Sequence, residues 1–154
     1  MDDDGPKIAW GAKVSPAFKK RVLQMGDNLG LDPNYLMACM ALATGNTFNP
    51  NTYSAVGVGL LPFHPQTVAV LGTTTETLAA MTPVQQLEYV ERYFEPQAIR
   101  LKTLSDIYMA ILWPRAVGKP EDYVLYTQND NKITKAEAAA NVQQALEQGL
   151  EYVG

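Results

Sequence analysis

At 154 residues and 47% hydrophobic content, the chain is long enough to bury one real core and too short for two full domains. No apolar run approaches the roughly 20 residues that a membrane span needs, and Met-Asp-Asp-Asp-Gly-Pro lacks a basic, apolar export signal, so a soluble protein without a signal peptide is expected. Twelve basic against sixteen acidic residues give a net charge of −4 with only the short Lys19-Lys20-Arg21 run, which argues against a nucleic-acid partner and against membrane insertion.

Residues 1–9 read as an extended N-terminal arm. Ser15 before Pro16 is an N-cap with a first-turn proline, and Phe18, Val22, Met25 and Leu29 then recur at helical spacing up to Gly30. Asp32-Pro33 repeats the signal. The segment from Tyr35 to Ala43 is apolar nearly all round before Thr44-Gly45 stops it, which places this helix at the centre of the fold. Cys39 lies within it and reads as an inert core thiol; a single cysteine excludes an internal disulfide.

From Asn46 to Pro65 the pattern breaks into Asn, Gly and Pro, a long loop or a short irregular hairpin. Pro65 to Leu71 and Thr75 to Met81 read as brief helices. Thr82-Pro83-Val84-Gln85 has capping-box spacing and opens a helix with Val84, Leu87, Val90 and Phe94 inward and Pro96 beyond its end. Ser105 or Thr103 caps a buried helix from Ile107 to Trp113, stopped by Pro114. Thr134-Lys135-Ala136-Glu137 is a second capping box, starting an Ala-rich final helix that ends near Gly149.

Four stretches, in order, resemble one family. Met40-Ala41-Leu42-Ala43-Thr44-Gly45-Asn46-Thr47-Phe48-Asn49-Pro50 is similar to a segment in which a Glu-Ser/Thr-Gly unit closes a central helix. Gly57-Val58-Gly59-Leu60-Leu61-Pro62-Phe63-His64-Pro65 resembles a glycine-rich stretch that normally continues Gly-Leu-(Ile/Met)-Gln-Phe-Met-Pro. Leu104 to Pro120, with Tyr108-Met109-Ala110-Ile111-Leu112-Trp113-Pro114, resembles the helix and turn that follow. Asn131 to Ala139 is similar to a calcium-loop-like segment. Spread from Trp10 to Gly149, these stretches resemble the phage peptidoglycan-degrading lytic transglycosylases, endolysins of goose-type, lysozyme-like fold. The resemblance implies a mainly α chain: one compact lysozyme-like helical domain over 1–154, with the Gly/Pro/Asn-rich loop or short hairpin at 46–65.

The family's reaction needs a carboxylic acid, partly desolvated so that it stays protonated, at the end of the central helix. By the resemblance that position falls on Ala43, whose methyl group cannot transfer a proton. The substrate-binding positions implied in the same way are Thr44, Gly59, Leu60, Pro62 and Tyr108. Pro62 stands where the family has a glutamine, and proline offers neither a side-chain donor nor a backbone N–H. Glu76, Glu88, Glu91 and Asp106 lie on other expected elements. Lone His64 in a loop reads as solvent-facing. If Glu137 is the twelfth position of an ion loop, its first falls on Tyr126 and its turn glycine on Asn131, so a helix cap is expected there in place of a calcium site. No metal and no cofactor are expected.

These departures imply a catalytically inactive or strongly impaired lytic-transglycosylase-like protein, retained for virion assembly in a tail or baseplate or for holding peptidoglycan glycan strands. Phage structural proteins or glycan strands are then the partners, and the virion, or the host cytoplasm before lysis, is the location. The alternative is an active endolysin whose glutamate was replaced at position 43 in the laboratory. A deliberate knockout would leave the glutamine and the ion loop intact, and here both are gone.

Overall fold

Each main helix starts where a side chain can satisfy its first free N–H groups. In the computed structural model, which describes residues 5–154, the Ser15 hydroxyl accepts the Phe18 N–H at 3.1 Å and opens α1 (Pro16–Leu29). The Asp32 carboxylate accepts the Asn34 N–H at 2.9 Å and opens α2 (Pro33–Thr44). Gly45 ends α2 with φ 61°, a left-handed position that costs a side-chain-bearing residue about 1 kcal/mol or more. Beyond the 46–64 loop come α3 (Pro65–Val70), α4 (Thr75–Ala79) and α5 (Pro83–Phe94), the last opened by the expected Thr82/Gln85 capping box.

Helix α6 (Leu104–Leu112) begins three residues earlier than the apolar pattern suggests. The Thr103 hydroxyl accepts the Asp106 N–H at 3.0 Å, so the cap, not the first large apolar residue, sets the start. The Ala-rich terminal helix divides into α7 (Lys135–Ala138) and α8 (Ala140–Gly149), with a bend at Ala139. Backbone bonds of 3.0 Å from Ala139 to Lys135 and from Gln143 to Ala139 continue across it.

The core forms around α2, whose residues Leu36 to Ala41 are all buried. Helices α1, α6 and α8 pack against it, so its lack of a polar face follows from neighbours on several sides. Among the described residues no helix is long and apolar enough to cross a membrane.

Two expectations need correction. The N-terminal arm is shorter than residues 1–9: Ile8 and Ala9 are buried beside Trp10, while 1–4 lie outside the described residues. Ile8 and Gly154 exchange backbone hydrogen bonds of 3.0 and 3.3 Å, and the Trp10 indole N–H donates to the Ala145 carbonyl at 2.9 Å. A three-residue apolar run has no periodicity to reveal this docking. The second correction concerns 124–134, where no strand is expected and an antiparallel hairpin, β1 (Val124–Gln128) and β2 (Asn131–Thr134), forms. Asn129 and Asp130 both take positive φ, 52° and 65°, the pair of left-handed residues that matches a two-residue hairpin turn.

Glu137 meanwhile completes the α7 capping box, accepting the Thr134 N–H at 2.9 Å. No group of three or more potential metal ligands occurs among the described residues. We expect calcium to leave the melting temperature unchanged; a rise of several degrees that chelator reverses would show a site the hairpin geometry does not offer.

Candidate functional site

One face of α2 near its C-terminus carries Cys39 and, one helical turn on, Leu42 and Ala43. Opposite stand Tyr108, Ile111 and Leu112 of α6. Between them lies a cleft of about 430 Å³, closed at one side by the loop residues Leu61 to His64 and floored by Tyr93 of α5. The structure therefore brings together three positions far apart in sequence: Ala43, Pro62 and Tyr108 all line this cleft.

The loop reaches the cleft through irregular pairing. Val58 and Phe63 exchange backbone hydrogen bonds of 3.1 Å, and Tyr53 bridges Val58 on the other side. Of the two sequence alternatives for 46–65, this is the irregular hairpin, formed of isolated bridges. Gln86, fully buried on α5, anchors it: its side-chain oxygen accepts the Leu60 N–H at 2.6 Å, and its amide N–H groups donate to the Pro50 and Leu78 carbonyls at 3.0 and 2.8 Å. Gln86→Ala is expected to lower stability by about 1–3 kcal/mol, because buried backbone groups lose their partners. Urea unfolding would measure the change, and one below about 0.5 kcal/mol would contradict the anchoring role.

Three other positions implied by the resemblance do not line the cleft. Thr44 is buried, donating its hydroxyl to the Met40 carbonyl at 2.7 Å and accepting the Phe48 N–H at 2.9 Å, which fixes the exit of α2. Leu60 is in the core, where its N–H meets Gln86. Gly59 is buried at φ 115°, and a Cβ there would fall 2.7 Å from the Gln86 side-chain oxygen. Its glycine serves the backbone path of the loop, and no part of it lines the cleft.

Among the described residues no carboxylate lines the cleft. Glu88 and Glu91 pair with Arg21 on the surface between α1 and α5, at 3.4 and 2.8 Å, and Glu76 is exposed on α4. Asp106 is buried and contacts Lys135 Nζ at 2.5 Å. Burial pushes its carboxyl up, but the Lys135 ammonium and the N–H groups of Gly118 and Lys102 outweigh this and hold it below the usual value. Asp106 is thus an ionised structural anchor.

Three titratable side chains of the cleft, Cys39, Tyr93 and Tyr108, are poor proton donors at neutral pH. Burial pushes the Cys39 thiol up to about 12, matching its reading as inert. Burial also raises Tyr108, with a smaller contribution from Cys39, and burial raises Tyr93, whose hydroxyl donates to the Ala110 carbonyl at 2.8 Å. Both phenols stay protonated and too weakly acidic to serve where a carboxylic acid is required. His64 is exposed, as expected, and caps α3 by accepting the Gln66 N–H on Nδ1 at 3.2 Å. In the neutral imidazole this leaves the proton on Nε2.

Tyr93 and Thr67 went unrecognised as cleft residues. Tyr93 is adjacent to inward-facing Phe94 and Thr67 belongs to a helix of one and a half turns, so neither position had a signal that could have singled it out. Comparison with protein-family models, curated proteins and solved structures gives no match, so the functional reading rests on the residues of this cleft.

Proposed function

We propose that the chain is a non-catalytic protein of the phage lytic-transglycosylase type, with a lysozyme-like fold kept for virion assembly and without peptidoglycan cleavage. The observation supporting this most directly is the meeting of Ala43, Pro62 and Tyr108 in one cleft that no carboxylate of the described residues lines. Positions chosen by resemblance to an active-site motif adjoin one another in space, and the group that would perform the chemistry is missing from them.

Assembly is favoured over glycan holding by the chemistry of the walls. A glycan strand presents hydroxyls and amides that need polar partners at each sugar, whereas Cys39, Leu42, Ala43, Leu61, Phe63 and Ile111 offer mainly carbon. The net charge of −4 also gives no attraction to an anionic envelope. The test is whether purified particles of the encoding phage contain the chain in stoichiometric amount, by quantitative mass spectrometry. Its absence from particles, together with co-sedimentation with purified peptidoglycan, would overturn assembly in favour of glycan holding.

A further inference from the structure

The cleft retains polar groups that the protein itself does not satisfy. Among the described residues, the Tyr108 hydroxyl, the Thr67 hydroxyl and His64 Nε2 have no hydrogen-bond partner. By contrast, the Tyr93 hydroxyl is used by Ala110 and the Ser54 hydroxyl by Gly57. Each of the three free groups can donate a hydrogen bond. The walls formed by α2 and α6 are apolar apart from the Tyr108 hydroxyl and the Cys39 thiol, and among the described residues no Asp, Glu, Lys or Arg lines the space.

We propose that this cleft is a binding site for an uncharged small molecule with an apolar body and a hydrogen-bond-accepting oxygen, such as a ketone, ester or amide. Three features select that class. A volume of about 430 Å³ falls within the roughly 300–1,000 Å³ typical of small-ligand pockets. The absence of a paired charge disfavours an ionic ligand, whose desolvation nothing in the lining would offset. His64 Nε2–H of the neutral ring donates only, and the Tyr108 and Thr67 hydroxyls can donate beside it, so an accepting oxygen on the ligand can be met by all three. Tyr108, raised by burial, remains a protonated donor across the neutral range.

The inference shares with the proposed function only the choice of this cleft as the functional surface. It is tested on the full chain with prodan, an uncharged naphthyl ketone whose emission moves to the blue on leaving water. A saturable blue shift is expected, competed by naphthalene and not by an N-acetylglucosamine oligomer. Ala43→Trp, which fills the cleft from α2, should abolish the saturable phase while circular dichroism stays unchanged. Tyr108→Phe should weaken prodan about five-fold, the size of one net hydrogen bond, and leave competition by naphthalene as it was.

No saturable shift, a shift that survives Ala43→Trp, displacement by the sugar oligomer, or equal weakening of both aromatics by Tyr108→Phe would each overturn the proposal. Tyr108→Phe removes a single oxygen and decides the matter even if the tryptophan variant does not fold. A chain that neither binds prodan nor cuts peptidoglycan loses this inference and keeps the non-catalytic reading. Cleavage by the unmodified chain removes that reading whatever the dye does.

Discussion

Asp106→Asn is expected to destabilise the protein by about 3–5 kcal/mol, a fall in melting temperature of roughly 10 °C for a chain of this size. The carboxylate is buried, contacts Lys135 Nζ at 2.5 Å and accepts the N–H groups of Gly118 and Lys102 at 2.9 and 3.0 Å. The asparagine could still accept hydrogen bonds, but the ammonium of Lys135, itself buried, would be left with neutral oxygens such as the Lys119 carbonyl, at 2.8 Å, and no counter-charge. Adding Lys135→Met to Asp106→Asn should restore part of the loss, since the uncompensated charge is the costly element. Additive destabilisation by the two changes would refute this account.

The same carboxylate sets a pH dependence. Its folded value is lowered, so its contribution is fully present above the ordinary unfolded value near 3.8 and is lost as pH falls through the lower folded value. The wild-type chain should therefore lose stability below about pH 4 more steeply than Asp106→Asn. Thermal melts across that range would measure it, and parallel curves would show that another group governs the acid limb.

The unmodified chain is expected to release no muropeptides from purified peptidoglycan above background, and substitution at position 43 separates the two explanations for the missing acid. Ala43 lines the cleft beside Leu42, Ile111 and Tyr108, so a glutamate there would be partly desolvated and held protonated, as a general acid requires. If a laboratory change removed a native glutamate, Ala43→Glu should regain the 10² to 10⁴ or so in rate that a positioned general acid contributes. A naturally decayed site should stay weak until Pro62→Gln returns an amide to the loop side of the cleft. Robust release by the unmodified chain would sink the non-catalytic reading and require an acid from elsewhere.

Local signals in the sequence were sufficient for most helices, because caps and stops act within four residues. Ser15, Asp32, Thr82 and Thr134 each cap the helix expected of them. The hairpin at 124–134 was equally local, with Asn129-Asp130 between two runs of strand-forming residues, yet the ion-loop-like comparison obscured it. The candidate site was legible only in part. Ala43, Pro62 and Tyr108 could be named from motif order, while Thr44, Gly59 and Leu60, drawn from the same stretches, belong to the scaffold behind the cleft.

What the sequence determines by itself is therefore where helices begin and end, that α2 is central, and that alanine at 43 and proline at 62 bring no side-chain proton donor, since each depends on residue identity and short spacing. The tertiary structure alone decides that α2, α5, α6 and the 53–64 loop enclose one apolar cleft, that Gln86 holds that loop, and that Asp106 meets Lys135 across 29 residues. Those outcomes depend on which helix faces meet, and burial, not local propensity, selects the pairing of faces.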